Sequence, residues 1–282
     1  MAPFLEALAE GGFLQRAVLT GILASFACGV VGSYVVSRRI TYIAGGIAHC
    51  VLGGMGAARY LQVVGGWAWL HPLYGAVAAA LLAAVVIGLV SLRAREREDT
   101  VIGALWAIGM AVGVLFIWRT PGYNEELMSY LFASIVMVSP ADLWLIVALD
   151  VLVVGLGLAF YHQLVAVCFD EEFARLRGLR VELYYLLLLC LTALTVVVLV
   201  TVVGIVMVIA LLTLPVAVAG HFCRSLWQMM ALATGLTMVF TTSGLALSYG
   251  PNLPAGATII VLAGGVYLVV AIAARLLRPH GG

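Results

Sequence analysis

Residues 169–180 read FDEEFARLRGLR, the longest polar interruption between two long apolar runs in the chain. Asp170, Glu171 and Glu172 come first, and Arg175, Arg177 and Arg180 follow. That order suits a short helix, because the N-terminal end of a helix favours anions and the C-terminal end favours cations. Ala174 falls in its middle, and Gly178 stands where such a helix would stop. Phe173 and Leu176 are three apart, so they form a small apolar ridge on one side. One alternative is a plain charged loop at a membrane surface. The pattern instead predicts a brief surface helix between two membrane spans, shaped to dock a partner.

Outward from this stretch the composition sets the class. Hydrophobic residues make up 65% of the 282 residues and charged residues 10%, against about 25% charged in soluble domains. Mean hydropathy is +1.18. The chain is therefore expected to be an all-α polytopic membrane protein, a single transmembrane domain over residues 1–282 embedded in the lipid bilayer. A net charge of +1 argues against a nucleic-acid partner. The five cysteines lie in or beside apolar runs without a CxxC, which reads as buried small hydrophobes rather than a disulfide framework. The N-terminus has no basic stretch followed by a short apolar core and cleavage site, so no removable signal is expected.

A span needs about 20 apolar residues. Nine such runs are legible, at residues 13–37, 40–60, 69–92, 100–118, 141–161, 182–201, 203–220, 225–248 and 256–277. The sixth and seventh are nearly continuous, with Thr201 and Gly204 as the turn. With residues 169–180 on the cytoplasmic side, eleven arginines fall inside: 38, 39, 93, 95, 97, 175, 177, 180, 224, 275 and 278. Arg16, Arg59 and Arg119 fall outside. This bias predicts an external N-terminus and a cytoplasmic C-terminus. Ser139-Pro140-Ala141-Asp142 and Ser225–Gln228 carry helix-start spacing. Residues 127–138 are about half the length of a span and are expected to be re-entrant or to lie at the outer face, beside Glu125 and Glu126.

Ionisable residues at mid-membrane depth are costly and are functional candidates by default. His49 is central in the second run and Asp150 in the fifth, so the two lie at similar depth. Gly45, Gly53 and Gly56 share the helix face of His49, and Gly46, Cys50, Gly53 and Ala57 form an adjoining stripe of small residues. Such stripes permit close helix packing, or they leave a cavity beside the imidazole. The first case gives a hydrogen-bonded core histidine. The second gives a transient ligand for a transition-metal cation. Asp150 has no cation in its own run, so it must be protonated, hydrogen-bonded or paired with another helix. Pro215, in LLTLPVAVAG, removes a backbone bond, and the resulting kink fits a gating helix.

Several segments together resemble the ABC-3 type permease subunits of bacterial ATP-driven importers for zinc, manganese and iron ions. They are FLQRAVLTGILASFACGVVGSYVVSRRITYIAGGIAH (13–49), LMSYLFASI (127–135), FDEEFARLRGL (169–179) and VGIVMVIALLTLPVAVAG (203–220). The resemblance covers nearly the whole chain. It implies a type II importer-like fold and makes residues 169–180 the coupling helix. There Asp170, Glu171, Glu172, Phe173, Ala174, Arg175, Leu176 and Gly178 would engage a cytoplasmic ATPase subunit. It also implies a second permease copy and an external solute-binding protein that delivers a divalent metal ion. ATP would be held by the partner, since this chain has no lysine and so no P-loop. In the second span the family commonly shows an Asp four residues before a His, then Pro-Gly four and five residues after it. Here His49 and Gly54 match, while Gly45 stands at the Asp position and Gly53 at the Pro position. The carboxylate would then come from elsewhere, with Asp150 the expected source. A histidine without that carboxylate ranks zinc slightly ahead of manganese and iron. The rivals are a permease for a metal chelate of siderophore or cobalamin type and an ion-coupled secondary transporter. An intramembrane metalloprotease is disfavoured because no H-E-x-x-H occurs.

Overall fold

The computed structural model describes residues 12–93, 98–121, 140–204, 208–251 and 253–277. Among them every regular element is a helix. In chain order these are α1 (Phe13–Arg38), α2 (Thr41–Val63), α3 (Pro72–Arg93), α4 (Glu98–Arg119), α5 (Pro140–Ala159), α6 (Tyr161–Phe169), α7 (Glu171–Leu176), α8 (Val181–Val203), α9 (Val208–Phe222), α10 (Leu226–Tyr249) and α11 (Ala255–Leu277).

Six of them are long and apolar enough to cross a membrane: α1, α3, α4, α8, α10 and α11. Counting α5 and α6 as one span makes seven. Each of the nine apolar runs overlaps a helix among the described residues, but the count of nine crossings does not follow from length and composition. In α2, 23 residues long, the glycines and His49 dilute the hydropathy. In α9 the helix is only 15 residues. The fifth run also ends differently from expectation. The helix axis turns by 71° between Leu143–Ala159 and Tyr161–Phe169, and α6 then leads to α7. The expected start at Ser139 and the segment with Glu125, Glu126 and 127–138 lie outside the described residues, as do Arg95, Arg97, Arg278 and His280.

Chain punctuation accounts for several helix ends. Ser225 caps α10, its hydroxyl accepting the Gln228 N–H at 3.4 Å, while the Gln228 side chain accepts the Arg224 N–H. This is the capping spacing read from the sequence. α8 ends at Gly204, whose φ of +82° is open to glycine. α1 ends less expectedly on Arg39 at φ +63°, with the Arg39 and Ile40 N–H groups donating back to Val36 and Val35.

α1 and α8 are the most enclosed spans, and α4 and α11 the most exposed. α1 lies against α5, α8, α9 and α10, while α2 is gripped between α3 and α4. The outward side of α11 shows Val261, Leu268, Val269, Ile272 and Leu276. Such an apolar face suits lipid.

Candidate functional site

The candidate residues fall into two groups, one at the charged end of the bundle and one inside it. The first is α7. Asp170 has extended backbone and caps the helix, its carboxylate accepting the Phe173 N–H at 2.9 Å. Glu171 and Glu172 lie in the first turn and Arg175 in the last, as the helix dipole favours. Gly178 adopts φ +76°. The Gly178 N–H returns to Arg175 and the Leu179 N–H to Ala174, closing the helix in a Schellman-type turn. Ala174 is buried against the bundle, whereas Phe173 is 49% and Leu176 87% exposed. The ridge expected from spacing is therefore present and bare. Arg175 pairs with Glu182 at 3.1 Å on the surface, and the Arg177 guanidinium lies over the Phe173 ring.

A capped six-residue helix depends on its cap, since it is far below the length at which helices stand alone. Asp170→Ala removes about 1 kcal/mol of local stability. Amide exchange at Phe173 is then expected to rise about fivefold, the factor that 1 kcal/mol represents. Unchanged exchange would mean that the bundle, not the cap, holds α7.

The second group is buried. His49 is 8% exposed. Its Nδ1 lies 2.9 Å from the Gly45 carbonyl oxygen one turn earlier. A carbonyl only accepts, so Nδ1 carries the proton and Nε2 keeps the lone pair. The ring stacks on Trp106 of α4, with centroids 4.2 Å apart and planes 25° apart. An added Cβ on Gly45 would meet Ile209 at 2.6 Å and the Trp106 ring at 3.0 Å. An indole and an isoleucine thus fill the space in which a side chain at position 45 would stand. Neither Trp106 nor Ile209 was legible as a site residue, because each looks like ordinary apolar filling in its own span.

The small-residue stripe is packing, not cavity. A Cβ on Gly53 would lie 2.9 Å from the Gly109 carbonyl, and one on Gly54 2.1 Å from the Gly75 carbonyl. Cys50 donates to the Leu105 carbonyl at 3.3 Å. The α2 backbone is therefore in direct contact with α3 on one side and α4 on the other.

Asp150 is 5% exposed. Its Oδ1 accepts the Ala27 N–H of α1 at 3.1 Å. His49 and Asp150 thus have separate immediate partners, in α4 and α1 respectively. No cluster of three or more His, Cys, Asp or Glu suited to a metal occurs among the described residues. Pro215 lies inside α9 and is buried with Val216 and Ala219.

Among known proteins, 254 residues are 39% identical to a "Probable metal transport system membrane protein" of Chlamydia trachomatis, covering 90% of this chain and 86% of that protein. A "Manganese transport system membrane protein MntC" of Listeria innocua is 32% identical over 279 residues, 99% of this chain and 95% of that one. The structure "PsaBC from Streptococcus pneumoniae in complex with Fab" superposes with a TM-score of 0.85 at 28% identity, covering 95% of this chain and 94% of that one. The family model described as "ABC 3 transport family" matches residues 10–274, and the chain belongs to that family.

Proposed function

We propose that the chain is the permease subunit of an ATP-driven importer that passes a divalent transition-metal ion into the cytoplasm. The observation that carries the reading is α7: a capped helix with a bare apolar ridge, in a chain whose relatives are named metal and manganese transport proteins. α7 docks in a cytoplasmic ATPase subunit, which binds and hydrolyses ATP. The chain itself is not an enzyme. It forms one permease domain, residues 1–282, which pairs with a second permease copy and receives its ion from an external solute-binding protein. The names of the relatives favour manganese. A neutral imidazole donor suits zinc equally well, so the assay below compares zinc, manganese and iron.

In this reading the protein sits in the bacterial plasma membrane with nine crossings, an external N-terminus and a cytoplasmic C-terminus. The arginine bias supports that orientation. The direction of α5 relative to α1 bears on the number of crossings. Asp150 bonds Ala27 and Gly157 bonds Tyr34, each pair separated by 123 residues. Equal separation means that the two helices run the same way. An odd number of crossings then lies between them, which fits α2, α3 and α4 each crossing once. His49 offers Nε2 to the passing ion. Asp150 offers its second oxygen, since Oδ1 is held by α1. Weak coordination suits a conduit, which must release what it binds.

The test is metal uptake in cells carrying the whole transporter. His49→Ala is expected to lower uptake about tenfold or more at unchanged protein level, the scale on which metal sites respond to lost support. At position 150 two variants separate charge from hydrogen bonding. Asp150→Asn keeps an acceptor for Ala27 and removes the charge, whereas Asp150→Leu removes both. If Asp150 contacts the ion, both variants lose uptake. Full uptake by Asp150→Asn would reduce the residue to a helix tie. No uptake of any divalent metal by the unmodified transporter would sink the reading.

A further inference from the structure

Arg38, the last residue of α1, has three engagements that its place at a helix end does not require. Its guanidinium pairs with Glu171 in the first turn of α7. It donates to the Val167 carbonyl near the end of α6. It also lies 4.9 Å from the centroid of the Tyr185 ring in α8. The Arg38 side chain is 17% exposed and that of Glu171 40%, so the pair is partly open to solvent. A planar fork that meets a carboxylate, a carbonyl and an aromatic face together is a task for arginine and not for lysine.

Above Arg38 the same edge of α1 continues to be tied to α5. The Tyr34 hydroxyl donates to the Gly157 carbonyl at 2.9 Å, and the Ala27 N–H donates to Asp150 at 3.1 Å. Tyr34 is fully buried, as is Ala27. Glu171, Arg38, Tyr34 and Ala27 thus form a row of polar ties from the surface helix to the mid-membrane carboxylate. The hydrogen bonds and ion pair hold α1 to α5, α6 and α7, with Tyr185 of α8 beside the guanidinium. Arg38 joins α7 to α1, and the buried ties above join α1 to α5.

We infer that Arg38 is the positioning residue through which the docking helix drives the first span, so that ATP turnover in the partner becomes movement at Asp150. This rests on the importer reading above. Arg38 touches neither ATP nor the ion.

The experiment uses the complete transporter reconstituted in vesicles, with manganese import and ATP hydrolysis measured on the same sample. Arg38→Gln is expected to assemble with its ATPase subunit and to hydrolyse ATP, but to import at least about tenfold less metal per ATP. Arg38→Lys keeps the charge without the fork and should fall between Arg38→Gln and the parent. Tyr34→Phe, which removes only one buried hydrogen bond, should lower the ratio in the same direction but less. An unchanged ratio in Arg38→Gln would overturn the inference while leaving the importer reading intact. Loss of the ATPase subunit from Arg38→Gln would also overturn it, by making Arg38 a docking residue. Absence of metal import by the unmodified complex would overturn the importer reading and the inference together.

Discussion

Phe173→Asp combined with Leu176→Asp is expected to strip the ATPase subunit from the purified transporter while the permease remains folded. Both side chains are exposed on the free chain, so neither substitution opens a cavity in the bundle. Ala174, on the opposite side of α7, is buried, and it and the Glu171–Arg38 pair are left in place. Apolar anchors at the centre of an interface contribute about 2 kcal/mol or more each when truncated. Placing a carboxylate in the same pocket adds a desolvation cost. Affinity should fall at least about 100-fold, counting tenfold per 1.4 kcal/mol. Co-purification at graded salt reads this directly. Retention of the ATPase by the double variant at parental level would remove α7 as the docking element. Reversing Glu172 and Arg175 together is a milder test, because Arg175 already spends its charge on Glu182 within the chain.

Gly54→Leu should have the largest effect on the fold itself. The first atom of the new side chain would lie 2.1 Å from the Gly75 carbonyl oxygen and 2.5 Å from Ala79 Cβ. The nearest obstacle is backbone, so no rotamer change relieves it, and α2 must separate from α3. Overpacking typically costs about 1–3 kcal/mol and more when backbone must move. That is a large share of the stability of an ordinary fold. The yield of monodisperse protein should collapse and the thermal midpoint of what survives should drop. Gly155→Ala is the control, because nothing lies within 4 Å of the added atom. A Gly54→Leu protein as abundant and as stable as the Gly155→Ala control would contradict the contact between α2 and α3.

Residues 169–180 were legible as a helix because the devices that start and close it are local. The cap is three residues from its target, the charges follow the dipole, and the closing glycine adjoins the last turn. The apolar runs were legible for a similar reason, since twenty apolar residues have few alternatives to a helix in lipid. The limits appear where the physics is not local. Nothing in AFYHQ at residues 159–163 announces a 71° turn, since it contains neither proline nor glycine. The direction of α6 comes from what it lies against, including α8 and α1. Arg38 entered the sequence reading only as one of the cytoplasmic arginines, because its carboxylate lies 133 residues away. The glycines around His49 were recognised as a close-packing stripe or a cavity, and spacing does not separate the two. The deciding facts are the carbonyls of Gly75 and Gly109 and the Trp106 ring, all on other helices. His49 and Asp150 were singled out correctly as buried polar residues. Their immediate partners, a carbonyl one turn earlier and an amide of the first span, were not named in advance.

The repeated separation of 123 residues between α1 and α5 bears on what kinds of change the gene tolerates. Ala27 and Tyr34 are seven positions apart, as are Asp150 and Gly157. Seven residues are close to two full helical turns, so both ties lie on one edge. Deleting a single codon between positions 27 and 34 would swing the lower half of α1 by about 100° and carry Tyr34 and Arg38 off that edge together. A matching deletion between positions 150 and 157 would restore the axial spacing but would turn Gly157 off the facing edge as well, so it would not remake the tie. The stretch is thus fixed in length by the ties to α5 and in side-chain size by its other neighbours, since an added Cβ at Gly32 would lie 2.5 Å from the Leu212 carbonyl oxygen.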